Sequence, residues 1–287
     1  MPKVTLEEIE QLKDTDAPLH DRIRAMFHGT IAMRDFVKDS VFPLVGVMMD
    51  RNEQEHAILG IFHRMFFWLD SMAELNKAQH FQAASSGARS MLELLFDIKQ
   101  LVKDPANAER FNAFTFVERF RAAKRQVEFS DQNGGDPADL AHERAFVTEP
   151  ANISNYDALR LKHWGTDRKG KTIKPTHWSK LNVAAQAKSL GLEYERLYTD
   201  VYSRLSWYVH GGASGISGIS GPGLQAAFGW AHALCQTFVF DATEELATAF
   251  HLFKASPDLR EKLETAKRIP GESLIKMILA ARDKASE

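Results

Sequence analysis

The sequence predicts an all-α protein, an irregular multi-helix bundle with one long basic loop at about residues 148–178. Apolar residues recur at three- and four-residue spacing over most of the chain, the period of a helix with one buried face. Alternating apolar–polar runs joined by Asn-Gly or Asp-Gly turns are almost absent. The breaks between periodic stretches fall at proline and glycine clusters. With 287 residues, 44% of them apolar and 26% charged, the chain has the proportions of a globular protein able to bury a substantial core. One helical domain is expected: N-terminal helices in 1–50, a helical core in 53–255 and C-terminal helices in 256–287.

Thr5-Leu6-Glu7-Glu8 is a capping box, whose hydroxyl and carboxylate can satisfy two orphan amides, so a first helix begins there and fades by 14–18. A second is expected over 20–39, stopped ahead of Pro43. Strongly apolar helices follow over 53–77 and 81–103, and an amphipathic one over 107–129. DQNGGDP at 131–137 is a break, after which Asp136 or Asp139 caps a short helix to about Val147. Pro150, Gly165, Gly170 and Pro175 make 148–178 read as irregular. Helices resume over 179–189, 193–210 and 224–254, with short ones beginning near Pro257 and Pro270.

Composition excludes several classes. Thirty-six basic against 38 acidic side chains give a net charge of −2, so any attraction to nucleic acid or anionic lipid must be local. Cys235 is the single cysteine, which rules out an intrachain disulfide or a CxxC centre. The N-terminus has no apolar signal core and no apolar run reaches about 18 residues, so a cytoplasmic protein without membrane contact is expected. Glu53 and His56 have Glu-x-x-His spacing, but a di-iron bundle needs a second such motif and further inward glutamates; no metal or cofactor is expected. The glycine-rich stretch 211–223 lacks Gly-Lys-Ser/Thr and follows a helix, which leaves a linker or a weak anion site ahead of the next helix.

The chemistry-bearing residues lie on two helices and the loop. Tyr194, Tyr198, Tyr202, Ser206 and His210 form an i,i+4 row ending at Gly211-Gly212. Arg89 and Glu93 are an i,i+4 pair beside Ala84, Gly87 and Ala88, small residues that permit another helix to approach closely. Arg204 precedes His210 by six residues, about 600° of helical rotation, so the two do not share a face. Between residues 160 and 180, seven Lys/Arg, Lys171 among them, accompany one acid, with Trp164 and Trp178 interleaved. Such positive density suits phosphate, and exposed aromatics stack bases.

KTIKPTHWSK, the tyrosine-rich helix and Tyr202-x3-Ser206-x2-Val209-His210-Gly211 together resemble the bacterial domain of unknown function 5677 family. Arg89-x3-Glu93 and Trp178-Ser179 match two further recurrent elements, over roughly residues 55–255. The resemblance implies an all-helical cytosolic protein and carries no activity. Arg204-x5-His210 also resembles the Arg-x4–6-His signature of the HEPN superfamily of helical ribonucleases and toxins; the residue after the arginine, commonly polar there, is Leu205 here. That second likeness implies metal-independent action on RNA, with arginine and histidine often assembled across a dimer. The resulting expectation is a HEPN-like ribonuclease or RNA-binding protein of bacterial defence or toxin systems, with RNA as partner and a homodimer as the arrangement that would bring Arg204 back to His210. His210 and Arg204 would be catalytic, and Arg89, Glu93, Tyr202, Ser206, Trp178 and Lys171 would bind substrate. The alternative is a non-catalytic helical interaction module.

Overall fold

The structure, a computed structural model, describes residues 5–12, 17–46, 51–210 and 221–269. Its helices run α1 Leu6–Leu12, α2 Leu19–Phe36, α3 Phe42–Gly46, α4 Glu53–Glu74, α5 Phe81–Lys103, α6 Asn107–Gln132, α7 Ala141–Thr148, α8 Pro150–Trp164, α9 Val183–Leu190, α10 Leu192–Arg196, α11 Ser203–Val209, α12 Gly221–Ala249, α13 Leu252–Ala255 and α14 Asp258–Ala266. Two π-helical stretches, Val37–Val41 and Leu197–Tyr202, join α2 to α3 and α10 to α11 without a break in the helix. The protein is all-α. Its extended pairing among the described residues is one isolated bridge, Thr166 to Thr172.

Local chemistry sets most of the boundaries. Thr5 and Glu8 form the expected capping box, with Thr5 N–H donating to Glu8 Oε2 at 2.7 Å and Glu8 N–H to Thr5 Oγ1 at 3.2 Å. A second box, legible as Asn-x-x-Glu, starts α4: Asn52 Oδ1 accepts from Glu55 N–H at 2.9 Å and Asn52 N–H donates back at 3.0 Å. Asp136 accepts from Ala138 N–H at 2.9 Å and starts a 3₁₀ turn, Pro137–Leu140, ahead of α7.

Three expectations about boundaries are corrected. Pro43 does not stop the second helix, which continues through the π stretch into α3. The wider π turn immediately ahead re-routes the hydrogen-bond ladder where proline supplies no N–H. Residues 150–164 are helical, so the irregular segment begins at Gly165; Pro150 occupies the first turn of α8, where its missing donor would be unpaired in any case. The long C-terminal helix ends at Ala249, and His251 turns the chain at φ 52°. The start of a helix at Pro270 and the glycine-rich residues 211–220 lie outside the described residues.

By contact the chain falls into two compact units, residues 104–186 and the remainder. In the larger unit, α5 and α12 pack on one another and on α2, α4 and α11. The expected close approach at the small residues of α5 is realised by α4: a Cβ on Gly87 would sit 3.0 Å from Met72 Sδ. Gly29 of α2 admits the side chain of Gln236 from α12, which a Cβ would meet at 2.5 Å. That amide donates to Met26 O and to Thr30 Oγ1, so a buried polar side chain is paired across the α2–α12 contact. His232, one turn earlier and fully buried, approaches Thr30 Oγ1 at 2.9 Å. Cys235 is buried beside them, its thiol pushed up to about 12 by burial, which makes it an inert packing residue. No described helix is long and apolar enough to cross a membrane.

In the smaller unit, α6 packs against α7 and α8. Phe120 stacks on Tyr156 with centroids 4.4 Å apart, and Phe116 and Phe120 meet Phe146. The segment after α8 is irregular but tied down. Asp167 Oδ1 accepts the N–H groups of Lys169 at 2.8 Å and Lys171 at 2.9 Å. Trp164 and Trp178 are buried against Phe114 and Phe111 of α6, and Arg121 donates to Pro175 O.

Candidate functional site

The continuous helix of α10, the π stretch and α11 runs antiparallel to α5, and their contact face carries the polar residues. In a straight α-helix an i,i+4 row drifts by about 40° at each step, so five members could not all face one neighbour. The π stretch Leu197–Tyr202 winds more slowly and offsets that drift in the middle of the row. Tyr194 consequently faces Phe96 and Lys99 near the end of α5, while Tyr202 and His210 reach Arg89 near its beginning. Leu197, Val201 and Leu205 are buried on the same helix, which explains an apolar residue directly after Arg204.

Arg89 is the hub. Its Nη1 donates to His210 Nε2 at 2.9 Å and its Nη2 to the Tyr202 hydroxyl at 2.6 Å. The Tyr202 hydroxyl passes its own hydrogen to Glu93 Oε1 at 2.8 Å. Arg89 Nε stands 3.4 Å from the same Glu93 oxygen, and the guanidinium lies 4.7 Å above the Tyr202 ring. Tyr198 stacks on Tyr202 at 5.1 Å and fixes that ring. Burial raises the Tyr202 phenol above its ordinary pKa, an effect that the Arg89 hydrogen bond opposes and Glu93 reinforces. It is a donor and relay, not a phenolate.

Because guanidinium only donates, His210 Nε2 accepts, and the proton of the neutral ring is assigned to Nδ1. The ring is exposed at the end of α11, where its backbone N–H closes on Ser206 O at 3.0 Å. Arg89 keeps 20% of its side chain accessible and has Nη hydrogens beyond the two in use. The arrangement can therefore offer a positively charged donor and an imidazole lone pair to one incoming anionic group. Trp207, half exposed on α11, lies one turn before His210.

The other candidates divide. Arg89, Glu93, Tyr202 and His210 are brought together. Ser206 sits in the row, but its hydroxyl turns back to Tyr202 O at 2.8 Å and serves the helix backbone. Arg204 is exposed, on another face of α11, as its spacing requires; the arginine on His210 is Arg89. Trp178 and Lys171 belong to the smaller unit. Trp178 is 2% exposed, so it anchors the loop instead of offering its face to a base. Lys171 is exposed beside Arg168, Lys169 and Lys174. No group of metal-binding side chains occurs among the described residues, Glu53 and His56 included. Lys99 was missed by the sequence reading: it donates to Glu245 at 2.6 Å and lies 5.1 Å from the Tyr194 ring, extending the polar seam along α5.

An all-helical protein with a surface Arg–His–Tyr–Glu cluster, assembled from two antiparallel helices, is the class that fold and site define. The model of a family of unknown function, DUF5677, matches residues 55–221, more than half of the chain, and the chain belongs to that family. The match takes in all four members of the cluster. No curated protein and no solved structure matches the chain.

Proposed function

We propose that the protein is a metal-independent, HEPN-like RNA-cleaving protein of bacterial defence or toxin systems, with His210 as base and Arg89 as the stabiliser of phosphate charge. The observation that carries the reading is the Arg89–His210 contact at 2.9 Å on an accessible surface. A phosphodiester that draws Arg89 onto its non-bridging oxygens frees His210 Nε2 to take the proton of a 2′-hydroxyl. The 2′ oxygen then bonds to phosphorus, the bond to the 5′ oxygen breaks, and that oxygen takes a proton from solvent. Tyr202 and Glu93 hold Arg89 in place throughout. The exposed cations Arg168, Lys169, Lys171 and Lys174 supply non-specific phosphate attraction. Arg204 faces solvent and is assigned to the site of a second copy in a homodimer.

RNA incubated with the purified protein in chelator gives fragments ending in cyclic phosphate, and His210→Ala lowers the rate by about 10²–10⁴-fold. If Arg204 acts across a dimer, inactive His210→Ala and Arg204→Ala proteins regain activity on mixing. Wild-type protein that leaves RNA intact overturns the reading. The second reading, a non-catalytic interaction module, is favoured by the internal pairing of Arg89, Glu93 and Tyr202, which also describes a network that fixes helix packing. It predicts that His210→Ala changes stability or partner binding and no cleavage.

A further inference from the structure

The smaller unit holds a second cluster that the cleavage reading does not use. His163, in the last turn of α8, is 9% exposed, and its Nε2 is buried without a hydrogen-bond partner. Arg110, in the first turn of α6, likewise has a buried, unpartnered Nε. Lys180 follows the Trp178-Ser179 element at φ 65°, in the left-handed region that a side-chain-bearing residue seldom adopts. The backbone there is held by a polar network: Ser179 Oγ lies 2.8 Å from His177 Nδ1 and accepts from Gln186 Nε2 at 2.8 Å. Lys162, next to His163, donates to Glu109, next to Arg110, and Trp178 meets Phe111 of α6, so His163, Arg110 and the exposed Lys180 belong to segments that pack together.

These cations crowd one another without a counter-charge of their own. Burial lowers the Lys180 pKa and Arg110 lowers it further. Burial also lowers His163, with Lys162, Arg110 and Lys180 adding to the effect and Glu109 opposing it. Burial lowers Arg110 as well, against the pull of Asp104. The two nearby carboxylates are engaged elsewhere: Glu109 accepts from Lys162 Nζ, and Asp104 Oδ1 accepts from Ala106 N–H at 3.1 Å. Among the described residues neither Arg110 nor Lys180 makes an ion pair, and Arg110 donates to the neutral amide of Asn107. Two orphaned buried nitrogens and neighbouring cations without an ion pair are answered together by a multivalent oxyanion that accepts from all three side chains.

We propose that Arg110, His163 and Lys180 form a phosphate-binding site, taking a phosphate monoester or the diester of an RNA backbone. Arg110 supplies the planar fork, Lys180 a point charge and His163 a directed N–H. The site stands whether or not the protein cleaves RNA.

The test uses the full chain with labelled histidines, titrated with inorganic phosphate against chloride at equal ionic strength. Phosphate is expected to shift the His163 imidazole resonances saturably, with at least tenfold weaker binding in Arg110→Gln and Lys180→Gly. Glycine is chosen because it accepts φ 65° without strain, so loss of binding is not loss of fold. A 2′-O-methylated, uncleavable oligonucleotide forms the second arm. Binding that weakens in the same variants identifies an RNA backbone phosphate as the ligand, and a response to inorganic phosphate alone identifies a free phosphate group. Shifts no larger than those given by chloride in both arms, or variants that bind as the wild type does, overturn the proposal.

Discussion

At the scale of single residues, the cluster depends on Arg89 being held from several directions. Tyr202 contributes two of those contacts, accepting from Arg89 and donating to Glu93, while its ring stacks on Tyr198. Tyr202→Phe removes both hydrogen bonds and keeps the ring. The expected cost is about 0.5–1.5 kcal/mol of unfolding free energy, read by urea denaturation, because Arg89 and Glu93 retain their direct ion pair. Under the proposed cleavage reading, activity should fall more than stability does, since the guanidinium loses part of what fixes its hydrogen bond to His210. The sequence showed Arg89 and Glu93 as a pair and His210 at the end of a polar row. It could not show that they meet, because 121 residues separate arginine from histidine and nothing local specifies that contact. Arg204 shows what local spacing does settle: six residues of helical rotation put it on another face from His210, where it is exposed.

At the scale of elements, the π stretches are what periodicity could not reveal. Leu197–Tyr202 reads as ordinary helix, since its apolar residues keep ordinary spacing and only the hydrogen-bond ladder differs. Its effect is to hold the tyrosines in line against α5. A π turn carries one residue more than the α-helix it interrupts, so deleting exposed Thr199 should convert the stretch to α-helix with the flanking phases kept. Circular dichroism and urea melting are expected to stay close to wild type. Deleting Trp207 in regular α11 should instead rotate His210 by about 100° away from Arg89 and break their hydrogen bond. Equal damage from both deletions would show that the π turn is not a phase insertion. Capping chemistry, by contrast, was readable at Thr5 and Asp136, where a side chain three residues or fewer from its amide settles the boundary.

At the scale of the whole molecule, buried His232 and half-buried Asp241 set opposing pH responses. Burial pushes His232 down to about 3 from an ordinary 6.5. Its contribution to stability is complete above pH 6.5 and is lost as pH falls toward 3, since the unfolded chain takes up the proton first. Burial pushes Asp241 up to about 6 from 3.8, with Lys99 opposing the shift and Glu244, Glu193 and Glu245 adding to it. Its contribution is complete below pH 3.8 and is lost as pH rises through about 6. Between these values the two partly cancel. Asp241→Asn is therefore expected to raise stability at pH 7 and to lose that advantage by about pH 4, in denaturation measured across pH; an unchanged profile would place the Asp241 carboxyl in water.

The sequence by itself determined that the chain is helical, roughly where its helices begin, and which residue types could do chemistry. Those properties rest on spacing and on side chain–backbone contacts within one or two turns. Tertiary structure decided that Arg89 rather than Arg204 faces His210, that Trp178 is an anchor, and that Arg110 and His163 each bury a nitrogen without a hydrogen-bond partner. Each of these depends on which helices pack together and on how far a helix has turned when it arrives, and a short-range pattern carries neither.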